Sequence, residues 1–247
     1  MRIATWNVNG IRAREAQLCE WVERDQPDVV CLQELKADPS QIPERCKIAE
    51  YTTYWHGNRG YSGVSLHVRK GAFESEPEFS HPPFDMETRI VQASFGNLIL
   101  ASVYVPNGGK DFDAKMRFLS DLAAWTNEVH AQGRELVLCG DINIARADMD
   151  VHPRERKPGI IGQRPEERTL FEQMLGEHMV DVARALHPED ERMFTWWAPW
   201  RNLRQRNIGW RIDYILASKG IASRVQTCSV LAEIGTSDHA PVMMSVE

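Results

Sequence analysis

The chain has 247 residues, 43% of them hydrophobic and 26% charged, and carries a net charge of −6. Such a composition builds a full apolar core, and no run of about 18 apolar residues offers a membrane span. The acidic average weighs against a purely electrostatic grip on nucleic acid. The opening Met-Arg-Ile-Ala-Thr-Trp-Asn reads as a strand and not as a signal peptide, so a soluble, cytoplasmic protein is expected. Five cysteines, an odd number with no CxxC spacing, argue against a disulfide framework or a zinc site of that kind. Cys31 and Cys139 sit in apolar runs, where cysteine serves as a small hydrophobe.

In chain order, Arg2–Asn7 is a predicted strand, Glu15–Asp25 a helix, Val29–Gln33 a strand and Gln41–Glu50 a helix. Gly63–Val68, Arg89–Phe95 and Leu98–Val105 follow as strands. Phe118, Leu122, Trp125 and Val129 recur at helical spacing within a helix predicted over Ala114–Gln132. Leu136–Gly140 is a strand, and Pro165 with Glu166 and Glu167 starts a helix that runs to Leu175. Arg211–Ala217, Arg224–Leu231 and Pro241–Val246 close the chain as strands. Several of these strands are continuous apolar runs, as in sheets covered on both faces. The alternation gives a layered α/β fold, and with no linker or low-complexity stretch, one domain over residues 1–247 is expected.

Polar residues collect where these strands end. Asn7 and Asn9, Glu34, Asp141 and Asn143, Asp213, and Asp238 with His239 all follow or close apolar runs. Ligand sites in sheet proteins sit at strand ends. Burying one acid costs several kcal/mol unless it is paired or metal-bound, roughly the scale that makes five such clusters a poor accident. Four carboxylates need a cation between them, and mostly oxygen donors with one histidine favour Mg2+ or Mn2+ over zinc. His56, His67, His81, His130, His152, His178 and His187 fall in no such cluster, and surface or core roles are expected of them.

These clusters, in this order, resemble the exonuclease III / AP endonuclease family of the endonuclease–exonuclease–phosphatase superfamily. The resemblance spans the whole chain and rests on WNVNGIRA (6–13), LQELK (32–36), GYSGV (60–64), YVPNGG (104–109), GDINIA (140–145), TWW (195–197), NIGWRIDYIL (207–216) and SDHAPV (237–242). It implies a four-layered α/β sandwich, with two packed mixed β-sheets flanked by helices. It implies Glu34 as the principal metal ligand, with Asn7 and Asp238. It further implies Asp141 orienting or deprotonating the attacking water, Asn143 steadying water and phosphate, and an Asp213–His239 pair directed at a phosphate oxygen. Tyr104 and Asn107 would contact the scissile phosphate, and Lys36 the DNA. General chemistry supports such a division, since phosphodiester hydrolysis needs a positioned nucleophile, a base and neutralised phosphoryl oxygens.

The catalytic set alone does not name a substrate. The segment from Trp196 to Arg211 mixes Trp196, Trp197, Trp200 and Trp210 with Arg201, Arg204, Arg206 and Arg211 and has no acid, which suits phosphate tracking and base stacking. By resemblance, Arg12, the turn at Tyr61 and Lys110 grip duplex DNA, while Trp196 and Trp210 wall a pocket for a baseless sugar. The expected partner is duplex DNA with abasic sites or blocked or recessed 3′ ends, cut by a monomer. Three departures stand out: Asn9 where some relatives carry aspartate, Lys110 where some carry arginine, and a proline-rich basic stretch at 152–162. The competing readings are a small-molecule phosphodiesterase and a non-catalytic nucleic-acid-binding regulator. The complete catalytic set argues against the second, and the Trp196/Trp210 pair argues against the first.

Overall fold

The computed structural model describes residues 1–58 and 60–247. Its elements run β1 (Arg2–Asn7), α1 (Ile11–Asp25), β2 (Val29–Gln33), β3 (Tyr51–Asn58), β4 (Tyr61–Arg69), β5 (Glu78–Ser80), β6 (Ile90–Phe95), β7 (Leu98–Tyr104), α2 (Phe112–Ala131) and β8 (Glu135–Asp141). They continue with α3 (Pro165–Leu175), β9 (Met179–Asp181), α4 (Val182–Leu186), β10 (Asp213–Ser218), α5 (Lys219–Ala222), β11 (Val225–Val230) and β12 (Val242–Val246). The expected helix over Gln41–Glu50 does not form. Pro43 is extended at φ −57°, ψ 138°, and leaves two short 3-10 turns, Pro39–Gln41 and Glu44–Cys46, because proline cannot donate into a helix interior.

The strands form two six-stranded sheets, β11-β12-β1-β2-β4-β3 and β5-β6-β7-β8-β10-β9. Both are mixed and share one pattern. A parallel pair joined through a helix (β1–β2 across α1, β7–β8 across α2) is flanked on both sides by antiparallel neighbours. Equivalent corners therefore exist in the two sheets. Asn7 pairs with Gln33 at the end of β1–β2, and Tyr104 with Asp141 at the end of β7–β8.

Alternation along each strand fills both sides of each sheet. Ile3, Val29, Cys31, Leu66, Leu100, Cys139 and Ile215 meet between the sheets. Ala4, Trp6, Val30 and Leu32 pack outward on Leu18, Trp21 and Val22 of α1. Ala101, Val103, Leu136 and Leu138 pack outward on Phe118 and Leu122 of α2 and on Phe171 and Met174 of α3. The result is a four-layered α/β sandwich. All five cysteines are free, and Cys31, Cys139 and Cys228 lie in the intersheet core. Among the described residues no helix is long and apolar enough to cross a membrane.

Candidate active site

A cleft of about 370 Å3 opens at those equivalent corners and brings together Glu34, Tyr104, Asn107, Asp141, Asn143, Asp238 and His239, with Trp196 and Trp210 on its wall. The backbone here is strained, since Asn9 (φ 45°), Glu34 (φ 57°), Lys36 (φ 51°) and Asn143 (φ 55°) are all left-handed without being glycine. Such conformations persist where the surroundings over-determine them. Gly140 sets up Asp141. A Cβ there would lie 1.9 Å from the Val103 carbonyl oxygen, so only glycine lets β8 approach β7 just before the carboxylate.

Buried His239, in the loop leading into β12 of the first sheet, reaches two carboxylates of the second, with Nδ1 2.9 Å from Asp213 Oδ2 and Nε2 3.9 Å from Asp141 Oδ2. Burial alone would discharge this imidazole, but Asp213 and Asp141 outweigh it and raise its pKa to about 10. His239 is therefore an imidazolium at neutral pH. Asp141 accepts from Asn7 Nδ2 (2.8 Å), the Asn143 backbone N–H (2.9 Å) and Asn143 Nδ2 (3.2 Å). Burial and, after the opposing charge of His239, the nearby Asp213 nonetheless push its carboxyl above the ordinary range. A carboxylate disfavoured in this way is a candidate general base. Tyr104 is pushed upward by burial and by Glu34 and Asp141, so its hydroxyl stays protonated and can donate.

Across the cleft Glu34 meets Lys36 Nζ at 2.9 Å. Lys36 also donates to Asn9 Oδ1 (2.6 Å), and Asn9 Nδ2 donates to Asp238 Oδ1 (2.7 Å). The neutral amide at position 9 thus links a cation to an anion, which aspartate, having no donor, would not do. Trp196 Nε1 donates to the other Asp238 oxygen at 3.0 Å. Burial opposes ionisation of Asp238, but His239, Asn9 and Trp196 prevail and hold its carboxyl low.

The donor set fits a hard divalent cation. Glu34, Asp141 and Asp238 face one cleft, whose positive side chains are Lys36 and His239, and Asp213 Oδ1 is buried behind them without a hydrogen-bond partner. Asp141, Asp213 and His239 each offer a ligand atom within 4.8 Å of the others. His239 Nδ1 is, however, committed to Asp213, so this trio reads better as an acid–base unit, with the cation nearer Glu34.

The tryptophans are held by backbone pairing. Trp196 and Trp210 exchange N–H···O bonds at 2.9 Å, and Trp196 also bridges to His239. Their rings meet edge to face, 5.7 Å apart. The arginines of this segment divide, and only part of the expected phosphate-tracking surface survives. Arg201 and Arg206 are exposed. Arg211 is buried in a fork between Asp150 and Asp181, with contacts of 2.7 to 3.1 Å. Arg204 donates to the carbonyls of Ala232, Ile234 and Ser237 and covers the Trp197 ring. Both of these build the fold. Arg12 and Lys110 are exposed outside the cleft, as is Tyr61, which is 52% exposed.

Sequence reasoning missed three supports. Buried Arg89 donates to the Tyr61 hydroxyl (3.0 Å) and lies over the Tyr61 and Tyr104 rings. Lys115 pairs with Glu167 at 2.5 Å, both fully buried, and donates to the carbonyls of Asn143 (2.8 Å) and Asn107 (3.3 Å). Thr195 Oγ1 accepts the backbone N–H of Asp213 at 3.0 Å. None carries a local signal, because each acts through a partner far away in the chain.

A model of the endonuclease/exonuclease/phosphatase family matches residues 4–239. The chain is 30% identical over 253 residues to an exodeoxyribonuclease of Bacillus subtilis, covering 100% of this chain and 99% of that one. It is similar in structure to a 3′ phosphatase from Neisseria bound to a product DNA hairpin (TM-score 0.90, 30% identity, 100% and 99% of the two chains). It is also similar to an AP endonuclease from Archaeoglobus fulgidus (TM-score 0.88, 26% identity, 100% and 99%).

Proposed function

This chain belongs to the endonuclease/exonuclease/phosphatase family, and we propose that it is a DNA-repair nuclease that hydrolyses phosphodiesters at abasic sites and at blocked or recessed 3′ ends. The observation that carries this reading is the buried Asp213–His239 pair pointing Nε2 at Asp141 inside a cleft walled by two tryptophans. Asp141 takes a proton from the attacking water, with Asn7 and Asn143 fixing the direction of its lone pairs. His239, charged by Asp213, donates from Nε2 to a phosphoryl oxygen, and the Tyr104 hydroxyl donates to another. Asn107 Nδ2 lies 3.4 Å from Asn143 Oδ1 and reaches the same phosphate. Glu34 and Asp238, with the oxygen of Asn7, would hold Mg2+ or Mn2+, which supplies positive charge to the phosphoryl and leaving oxygens when bound. Trp196 and Trp210 admit a sugar without a base and exclude one that carries it. We assign Arg12, Lys36, Tyr61 and Lys110 to the duplex; exposure of Arg12, Tyr61 and Lys110 and the place of Lys36 in the cleft support this. A net charge of −6 makes a fairly weak grip on DNA expected, carried by arginine and lysine contacts to phosphate that salt screens. The protein acts as a monomer in the cytoplasm.

The test is a gel assay on one duplex bearing a tetrahydrofuran abasic analogue and another with a recessed 3′ end, each with Mg2+ or with a chelator. Cleavage that requires the metal is expected on both, and its absence from both overturns the proposal. Asp141→Ala should abolish cutting while DNA binding persists; parallel loss of binding would remove Asp141 from the chemistry.

A further inference from the structure

Away from the cleft, β3 and the connection between β5 and β6 bring two imidazoles and a carboxylate to one place. The rings of His56 and His81 stack at 3.9 Å with 24° between their planes. His56 Nε2 lies 2.6 Å from Asp85 Oδ2. One ligand atom from each of His56, His81 and Asp85 lies within 4.8 Å of the other two. None of the three lines the catalytic cleft.

We propose that His56, His81 and Asp85 form a second metal site, one that takes Zn2+ or a similar imidazole-seeking divalent cation and clips β3 to the connection leading into Arg89.

The support lies in how the donors are held. Metal-binding histidines usually spend their other ring nitrogen on a backbone carbonyl, and ligating carboxylates are themselves hydrogen-bonded. His81 Nδ1 faces the Ile90 carbonyl at 3.3 Å, which puts the proton there and leaves Nε2 as a lone-pair donor, now met by the Tyr54 hydroxyl at 3.0 Å. Asp85 Oδ1 accepts the backbone N–H groups of Arg89 (2.8 Å) and Ile90 (3.1 Å), leaving Oδ2 for a ligand. The side chains of His56 and Asp85 are 17% and 14% exposed, so the cluster is sheltered but reachable. Stacked rings resist double protonation, and burial together with His56 lowers the affinity of His81 for a proton; a metal needs that neutral form. Tetrahedral zinc with bonds of about 2.0–2.2 Å keeps its ligand atoms about 3.3 Å apart. The His56–Asp85 hydrogen bond would open by less than about 1 Å to admit the ion, with water as fourth ligand. Two imidazoles and one carboxylate select against Mg2+, which prefers oxygen, so the two sites would hold different ions.

Such a clip would act on substrate binding from behind. Asp85 caps the backbone of Arg89, whose guanidinium lies under Tyr61 and Tyr104. Zinc uptake by the intact protein, measured by competition with a chromogenic chelator in millimolar Mg2+, tests the idea. One equivalent should bind to wild type and to Asp141→Asn. His56→Gln, His81→Gln and Asp85→Asn should each weaken binding by about 100-fold. Zinc should raise the melting temperature of wild type and not of these three variants, with circular dichroism confirming that each is folded. No zinc binding tighter than about 10 μM, binding that survives either histidine substitution, or binding lost with Asp141→Asn would overturn the site.

Discussion

Replacing Asp213 with asparagine keeps its shape and removes the charge that faces His239 Nδ1 at 2.9 Å. Burial by itself would place the imidazole below its ordinary pKa of 6.5; Asp213 first, then Asp141, carry it to about 10. At about 1.36 kcal/mol per pKa unit, that excess over 6.5 is roughly 5 kcal/mol of preference for the charged ring. The sign follows from linkage. With a folded pKa above the unfolded one, the stabilisation is complete below about pH 6.5 and disappears as pH rises through about 10. Asp213→Asn should therefore lose roughly 3 kcal/mol or more in denaturant unfolding at neutral pH, and distinctly less above about pH 10. In single-turnover cleavage of the abasic duplex, the alkaline limb should fall by about 2 pH units or more. The acid limb should also move down, because Asp141 no longer faces the Asp213 charge. Near neutrality kcat/KM should drop by about 10^2 to 10^4. An alkaline limb that stays put, with a stability loss equal at both pH values, would refute the assignment of Asp213 as the charge that keeps His239 protonated.

Three further outcomes are expected. Lys115→Met strands the fully buried Glu167 and should cost about 3–5 kcal/mol in chemical denaturation, part of it recovered by adding Glu167→Gln. Gly162→Ala puts a methyl 2.9 Å from the Trp210 ring at φ +91°; a stability loss of about 1–3 kcal/mol and a higher KM for abasic duplex should appear in unfolding and steady-state assays. Trp210→Ala should impair incision at the abasic analogue more than trimming of a recessed 3′ end, and equal losses on the two substrates would remove the pocket argument.

Much of this was legible in the chain because strand ends are local. Arg2–Asn7, Val29–Gln33 and Pro165–Leu175 match their elements end to end, and Asp141, Asn143, Asp213 and His239 converge as the strand-end clusters implied. What escaped depended on the third dimension. β3 (Tyr51–Asn58) is an edge strand of mostly half-buried residues, so its sequence lacks the alternation that marks a strand with one wet face. The Arg/Trp segment looked like a uniform binding face, yet Arg211 finds Asp150 and Asp181, 61 and 30 positions away. Charge counted along a sequence cannot show where its partners come from. His56 and His81 likewise match no motif, since 25 positions of chain separate two rings that stack.

The hydrogen bond from Asn7 to Asp141 and the one from His239 to Asp213 have a consequence for biosynthesis. They span 134 and 26 positions, and Asp238 contacts Asn9 across 229. A chain growing from the ribosome holds Asn7, Asn9 and Glu34 long before Asp238 and His239 emerge, and distant contacts of this kind form late. No fragment ending before position 238 carries the imidazolium. A nuclease assembled this way stays chemically silent until both sheets have docked, so abandoned or truncated chains leave the genome uncut.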